Sequence, residues 1–358
     1  MTSKSELKKV LNETLMMSQN CAKWCNRRGP IAVALRNYMG LSPKQYRKLI
    51  VELSSTVETR MCSRDWDNIN FSHVPSLASI RYRKAFNRHT PKYAEYIQSL
   101  VNKEEGVKVT AGAVYPHNIL GNVITDNGIN KLSKVEQDHI IAQWDALENF
   151  IGDANILPLV DVSGSMIAPI NGKFTVNSIT CLQVAVSLGL YCADKNKGKF
   201  NGTFLTFTGR PELIHLKGDI IQKCKQMSTS RWEMNTNLHA AMDKILQVAK
   251  EGNVPSEEMP KMLLIFSDMQ FDTCVKYDDS AMEMIKRKYE ESNYPVPLVT
   301  FWNLRSTDNV PVRFDERGTA LVSGFSPSIL KAVLNSDFEN FTPWSIMMNA
   351  IMNPRYDC

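Results

Sequence analysis

Hydrophobic residues recur at helical spacing through the first 150 of the 358 residues. The segments LKKVLNETL (7–15) and YRKLIVEL (46–53) place apolar residues three or four positions apart, which puts them on one face of an α-helix. Ser42 followed by Pro43 is typical of a helix start. The pattern predicts a stack of helices resembling HEAT repeats, with a glycine-punctuated connection at 101–128 that holds one short helix.

The hydrophobic pattern changes at about residue 150, where short apolar runs begin to alternate with amphipathic segments. Helices are predicted at 176–194, 237–250, 280–292 and 326–335. The apolar runs predict strands, and they read NILPLVDV, GTFLTFTG, PELIHL, KMLLIFSD, PLVTFWNL and TALVSG. Such alternation predicts a doubly wound, mostly parallel sheet with helices on its faces. We therefore expect two domains, a helical one at 1–150 and an α/β one at 151–358.

Composition narrows the class of protein. With 43% hydrophobic and 22% charged residues, the chain can form a globular core. The start, MTSKSELKKV, lacks the apolar segment of a secretory signal. The most apolar long stretch, residues 179–193, contains Gln183 and Ser187 and is shorter than the roughly 20 residues of a membrane span. These features predict a cytoplasmic protein without a membrane anchor, whose eight scattered cysteines are free thiols.

Oxygen-bearing side chains follow the predicted strands. Asp161, Ser163 and Ser165 lie in DVSGSM, Thr236 lies in EMNTNL, and Asp268 lies in FSDMQF. Ligands bind at the carboxyl ends of the strands in sheets of this kind, and alternate residues of an extended turn point the same way. Mg²⁺ or Mn²⁺ prefers such an all-oxygen set. The alternative is that these residues only cap the next helix.

Other kinds of site are excluded by spacing. In GSMIAPINGKFT seven residues separate the glycines, where a phosphate-binding loop has four, and Phe174 replaces the Ser or Thr. VDVSGSM lacks the Gly-x-Ser-x-Gly of a serine hydrolase, and the six histidines form no zinc-type pair. A single metal site without a general base favours a protein that is not an enzyme.

Basic residues are concentrated in the first half of the chain. Residues 1–150 hold 21 Lys and Arg against 14 Asp and Glu, whereas the remainder holds 21 against 23. The densest stretch, RYRKAFNRHTPK, contains Arg81, Arg83, Lys84, Arg88 and Lys92. Three of these, at 81, 84 and 88, share a helix face and are candidates for contacts with nucleic-acid phosphates. The alternative is a solvated helix face with the two interleaved aromatic residues packed inward.

The oxygen-bearing residues resemble the metal-ion-dependent adhesion site of von Willebrand factor A domains. That site has the pattern Asp-x-Ser-x-Ser, then a distant Thr and a distant Asp, and all five positions match here in chain order. In that family one coordination position of the metal is filled by an external acidic group. The resemblance therefore implies a ligand-binding site rather than a catalytic one.

Two further resemblances concern the organisation of the whole chain. The segment YRKLIVELSSTVETRMCSRDWDNINFSHVPSLASIRYRKAFNRHTPKYAEYIQSL, with WEMNTNL and FSDMQFD, resembles uncharacterised proteins of plants and large DNA viruses. These proteins join a helical region to a C-terminal von Willebrand A domain. The same plan, with SGFSPSILKAVL near the end, is similar to the TROVE or Ro-type RNA-binding proteins. That likeness implies RNA as a partner of the helical domain.

Two hypotheses about function follow. The first is a non-enzymatic protein that binds a ligand through Mg²⁺ and engages RNA through its basic helical domain, as part of a ribonucleoprotein. The second is a protein adaptor, in which a partner's acidic side chain completes the metal shell. A metal-assisted phosphoesterase would want a second metal cluster, which the sequence does not offer.

Overall fold

The computed structural model describes residues 29–53, 56–112, 114–125, 128–152, 155–170, 172, 178–197, 199–207, 210–228, 237–268, 279–305 and 319–324, together with residues 329, 348 and 352. Within these residues a helical region is followed by a six-stranded, mostly parallel sheet with helices. The predicted combination of an all-α region and an α/β region is confirmed. Most of the predicted helix at 326–335 lies outside the described residues.

The helical region contains seven short helices among its described residues. Ser42 caps one of them as predicted, because its Oγ accepts a hydrogen bond from the backbone N–H of Gln45 at 3.3 Å. The predicted connection holds one short helix, and a two-stranded hairpin follows it. The elements are α1 (Pro30–Tyr38), α2 (Pro43–Leu53), α3 (Val57–Cys62), α4 (Ser76–His89), α5 (Lys92–Val101), α6 (Pro116–Leu120), β1 (Ile124–Thr125), β2 (Gly128–Ile129) and α7 (Lys134–Asp145).

The α/β region contains all six predicted strands. Its elements are β3 (Ile156–Asp161), α8 (Cys181–Lys195), β4 (Thr203–Phe207), β5 (Leu213–His215), α9 (Ile220–Ser228), α10 (Leu238–Glu251), β6 (Met262–Ser267), α11 (Asp279–Glu291), β7 (Leu298–Asn303) and β8 (Thr319–Ser323). The strand order is β5-β4-β3-β6-β7-β8. All neighbours are parallel except β4 and β5. The segment between β4 and β5 is too short for a crossover, so these strands form an antiparallel pair.

The two central strands, β3 and β6, are buried along their whole length. Parallel strands with both faces covered read as continuous apolar runs, which is why these two were recognisable in the sequence. Helix α8 covers one face and α10 the other. At Gly189 of α8, an added Cβ would lie 2.3 Å from Cγ2 of Val160, so a residue without a side chain permits this close approach of helix and strand.

The hydrophobic core on the α8 side continues into the helical region. Ile140 and Trp144 of α7 belong to the same buried cluster as Val160 of β3 and Leu188 of α8. A separate aromatic cluster, built around Phe86, fills the space between α4 and α5. The division into domains at residues 150 and 151 stays a prediction.

The predictions of free thiols and of no membrane-spanning helix can be compared with the described residues. The four cysteines among them are free, and three are buried. No helix in the described part of the chain combines the length and the apolar character needed to cross a membrane.

Candidate metal centre

The candidate site lies where the chain changes direction across the sheet. From β3 the chain proceeds to β4 on one side, and it later returns to β6 on the other side of β3. The carboxyl ends of such neighbouring strands diverge into loops, which makes this point the usual ligand crevice of a doubly wound sheet. Asp161 ends β3, and Asp268 directly follows β6. Both side chains are completely buried, with 0% exposure.

Asp161 is held in place by two donors from the protein. Its Oδ1 accepts a hydrogen bond from the backbone N–H of Ser163 at 2.9 Å. Its Oδ2 accepts one from the hydroxyl of Ser267 at 2.6 Å. Ser267 ends the neighbouring strand β6, so the adjacent registers of the two strands fix this contact. The carboxylate is therefore oriented by both its own loop and the next strand.

The serine hydroxyls in the loop after β3 lie close to the residue that follows β6. The chain turns sharply at Gly164–Ile167, which brings the Oγ atoms of Ser163 and Ser165 to 3.1 Å from each other. Ser165 Oγ also donates a hydrogen bond to Asp268 Oδ1 at 3.2 Å. Four of the five predicted site residues thus meet at one point. The fifth, Thr236, lies outside the described residues, just before the start of α10.

The environment of Asp161 disfavours an isolated negative charge. Burial raises the pKa of this carboxyl above its usual range, the neighbouring carboxylate of Asp268 raises it further, and hydrogen bonds from Ser267 and Ser163 oppose the shift. The charge of Asp268 therefore disfavours ionisation of Asp161, and a positive charge beside the two carboxylates would oppose this effect.

Cys181 lies beside the two carboxylates and remains a thiol. Burial raises its pKa to about 11, and the nearby carboxylates of Asp268 and Asp161 raise it as well. Its Sγ lies 4.0 Å from the carbonyl oxygen of Leu304. Burial and the nearby carboxylates thus disfavour the thiolate form of Cys181, which makes it a poor nucleophile.

Sequence reasoning did not single out Ser267 and Arg305. Ser267 stands beside Asp268 in FSDMQF, and its position at the end of β6 was the signal that it could face the same crevice. Arg305 follows β7, and its Nη1 lies 3.8 Å from Oδ2 of Asp268. Arg305 comes close to Asp268 only because β7 lies next to β6 in the sheet. The strand order was not part of the sequence prediction, so this contact could not be predicted either.

The donor set suits a small, hard cation. Mg²⁺ binds oxygen at about 2.0–2.1 Å in an octahedron, so neighbouring ligand oxygens lie about 3 Å apart. The separations of 3.1 Å between the two serine oxygens and 3.2 Å from Ser165 to Asp268 agree with that spacing. The described residues contain no group of three or more His, Cys, Asp and Glu side chains placed to hold a metal. Any cation here would therefore rely on hydroxyls as well as on two carboxylates.

The predicted nucleic-acid contacts are divided between surface and interior. Arg81, Lys84 and Arg88 of α4 are exposed, and Lys92 of α5 is exposed with its Nζ donating to the carbonyl oxygen of Asp67 at 3.0 Å. We call Arg81, Lys84 and Arg88 the basic row. Phe86 and the half-buried Tyr82 pack inward, as the alternative interpretation expected.

Arg83 corrects the predicted set of phosphate contacts. It is only 3% exposed, because its position on α4 points into the helical region rather than along the basic row. Burial lowers the pKa of its guanidinium, and the negative charge of Glu136 opposes this shift. Arg83 therefore does not face the surface at which nucleic-acid phosphates would bind.

Comparisons with known proteins cover nearly the whole chain. Residues 155–349 match the model of a domain of unknown function, DUF7788, and residues 14–155 match a second one, DUF2828. The chain is 31% identical over 371 residues to the uncharacterized protein L728 of Acanthamoeba polyphaga mimivirus, covering 93% of this chain and 61% of that protein. The viral relative agrees with the resemblance to uncharacterised viral proteins.

The chain is also similar in outline to a protein of known structure. It is the RO (RSR) protein of Deinococcus radiodurans, with a TM-score of 0.43 and 12% sequence identity, over 90% of this chain and 74% of that chain.

Proposed function

The chain belongs to the DUF7788 family, and we propose that its α/β region is a non-enzymatic binding module that recruits an anionic group through Mg²⁺ or Mn²⁺. Asp161, Ser163, Ser165, Thr236 and Asp268 would hold the cation, as in the metal-ion-dependent adhesion site of von Willebrand A domains. A cation with few protein carboxylates around it stays attractive to an incoming anion. The ligand would complete its shell.

One observation carries this proposal. Ser165 and Asp268, 103 residues apart in sequence, come within 3.2 Å at the switch point of the sheet, beside the buried carboxylate of Asp161. A divalent cation would remove the repulsion between the two carboxylates that burial makes unfavourable. A bound metal would supply attraction for an anion, and the residues that would hold the metal would also orient it.

Metal binding can be measured directly. Titration calorimetry with Mn²⁺ is expected to show one site in the wild-type protein, with affinity at least about tenfold weaker in Asp161→Asn and in Ser165→Ala. Asparagine keeps an oxygen that can accept from the Ser163 N–H, so the loop should remain folded. Asp243→Asn is the matched control, because Asp243 pairs with Lys288 at the surface, 39% exposed. Equal Mn²⁺ affinity in wild type and Asp161→Asn would refute the proposal.

RNA is the partner we propose for the helical region. The specific observation is the exposed basic row of α4, with the exposed Lys92 on the next helix. Lysine and arginine side chains on one helix face can follow the phosphates of a nucleic acid. HEAT-like stacking of the helices would extend this face into a platform.

The RNA proposal predicts a characteristic dependence on salt. Fluorescence anisotropy with labelled oligouridine should show affinity that falls steeply with salt, because each phosphate contact releases counterions. The triple variant Arg81→Gln, Lys84→Gln, Arg88→Gln should reduce the slope of log K against log salt by about 2, since each contact to a single strand contributes about 0.7. The control triple Lys250→Gln, Lys261→Gln, Arg287→Gln removes equal charge from exposed positions of the α/β region.

The alternative function is that of a protein adaptor, in which an acidic side chain of a partner protein binds the same metal site. If purified protein binds Mn²⁺ but shows no salt-dependent affinity for RNA, an acidic side chain of a protein partner becomes the favoured ligand.

A further inference from the structure

Two backbone hydrogen bonds hold the turn that carries Arg305 at the edge of the candidate metal centre. Its backbone N–H donates to Oδ1 of Asn303 at 2.9 Å, which fixes the turn after β7. The backbone N–H of Leu304 donates to the carbonyl oxygen of Ser267 at 3.0 Å, so the turn is also joined to the end of β6. These contacts determine where the arginine side chain begins.

The side chain extends from the solvent boundary to a buried carboxylate. It is 33% exposed, whereas Asp268 is fully buried, and Nη1 lies 3.8 Å from Oδ2 of Asp268. This separation is longer than a hydrogen bond, so the contact between Nη1 and Asp268 Oδ2 is an electrostatic one. Arg305 therefore contributes positive charge and donors beside the entrance to the site.

The charges of the two carboxylates, the proposed cation and Arg305 together suggest a role for this arginine. The ionised carboxylates of Asp161 and Asp268 would balance a divalent cation, and among the described residues Arg305 then adds a positive charge beside this site. We propose, as an inference that rests on the proposed metal site, that Arg305 is a specificity-determining residue that selects a phosphate monoester over a carboxylate.

A phosphate monoester fits this arrangement better than a carboxylate does. It presents three acceptor oxygens and a charge of about −1.5 to −2, so that one oxygen can face the metal while two others meet the planar fork of the arginine. A carboxylate has two oxygens and a single charge. The exposed basic row of the same chain favours a terminal phosphate of RNA as the source of the group.

The test is that one substitution should raise the affinity for Mn²⁺ and lower the affinity for phosphate. In Arg305→Met the affinity for Mn²⁺ should rise about tenfold, because a positive charge beside Asp268 is removed. The affinity of the Mn²⁺-loaded protein for inorganic phosphate should fall about tenfold, and that for acetate much less. Arg305→Lys should retain the Mn²⁺ affinity of the wild type and lose part of the preference for phosphate, because lysine has no planar fork. Arg287→Met, at an exposed ion pair on α11, should change neither.

A second arm identifies the source of the phosphate. Oligouridine with a 5′-phosphate should bind the Mn²⁺-loaded protein more tightly than oligouridine with a 5′-hydroxyl, and Arg305→Met should abolish the difference. A phosphoserine peptide that binds as tightly, with the same dependence on Arg305, would overturn RNA as the source.

The possible failures are separable. A wild-type protein that binds no Mn²⁺ would overturn the metal site itself. Normal Mn²⁺ binding with an unchanged ratio of phosphate to acetate affinity in Arg305→Met would overturn the role of Arg305 alone.

Discussion

Single buried residues in the helical region show how far helix periodicity can be used. Arg83 lies within the densest basic stretch, but it stands three positions before Phe86, and this spacing places both on the inward face of α4. His139 of α7 is fully buried and its Nε2 lies 2.9 Å from Oγ of Ser79 on α4. The i, i+3 spacing of Arg83 and Phe86 is visible in the sequence. The contact of His139 with Ser79 is not, because it joins two helices that are distant in the chain.

Acidification should destabilise the protein through its buried histidines. Burial lowers the pKa of His139 to about 3 and that of His117 to about 4. In the unfolded chain a histidine titrates near 6.5, so below this pH the unfolded state binds more protons than the folded state. The stability is thus complete above about pH 6.5 and declines below it, by up to about 1.4 kcal/mol per pH unit for each histidine.

Urea unfolding at several pH values between neutrality and about pH 5 checks this expectation. His139→Gln should remove about half of the decline in the free energy of unfolding, and His73→Gln, at an exposed position, should leave the slope unchanged. The same slope in His139→Gln as in the wild type would contradict the assignment.

At the scale of elements, α8 connects the two regions of the chain through polar contacts as well as through its apolar surface. Nε2 of Gln183 donates to the carbonyl oxygens of Gly121 at 2.8 Å and Ile124 at 2.9 Å. Nε1 of Trp144 on α7 donates to Oδ2 of Asp194 at 2.9 Å, and Lys223 of α9 pairs with the same carboxylate. Gln183, which argued against a membrane span in the sequence, thus holds the helical region against α8.

Removal of the Asp194 carboxylate should loosen this junction. Asp194→Ala leaves the Trp144 N–H and the largely buried ammonium of Lys223 without their acceptor, which should cost about 2 kcal/mol of unfolding free energy. Glu291→Ala is the control, because the ion pair of Glu291 with Arg287 is exposed and should contribute less than about 0.5 kcal/mol. The measurement is chemical denaturation followed by circular dichroism, and equal losses in the two variants would count against a role of Asp194 in the junction.

At the scale of the molecule, the hydrophobic cluster on the α8 side extends from the helical region to the sheet. The change in periodicity near residue 150 was visible in the sequence because helices and buried strands carry different apolar spacings. Whether two such regions share a core depends on which surfaces meet. That information lies in shape and packing between distant segments, which a local pattern does not contain.

The six strands, most helices and the oxygen-bearing residues at two strand ends followed from the sequence alone, since periodicity records which face of an element is buried. Only the tertiary structure decided that β3 and β6 are neighbours, that β5 runs antiparallel, and that Arg305 lies beside Asp268. Strand order is a matter of long-range packing, and residues 161, 268 and 305 become a site only when three separate strands end side by side.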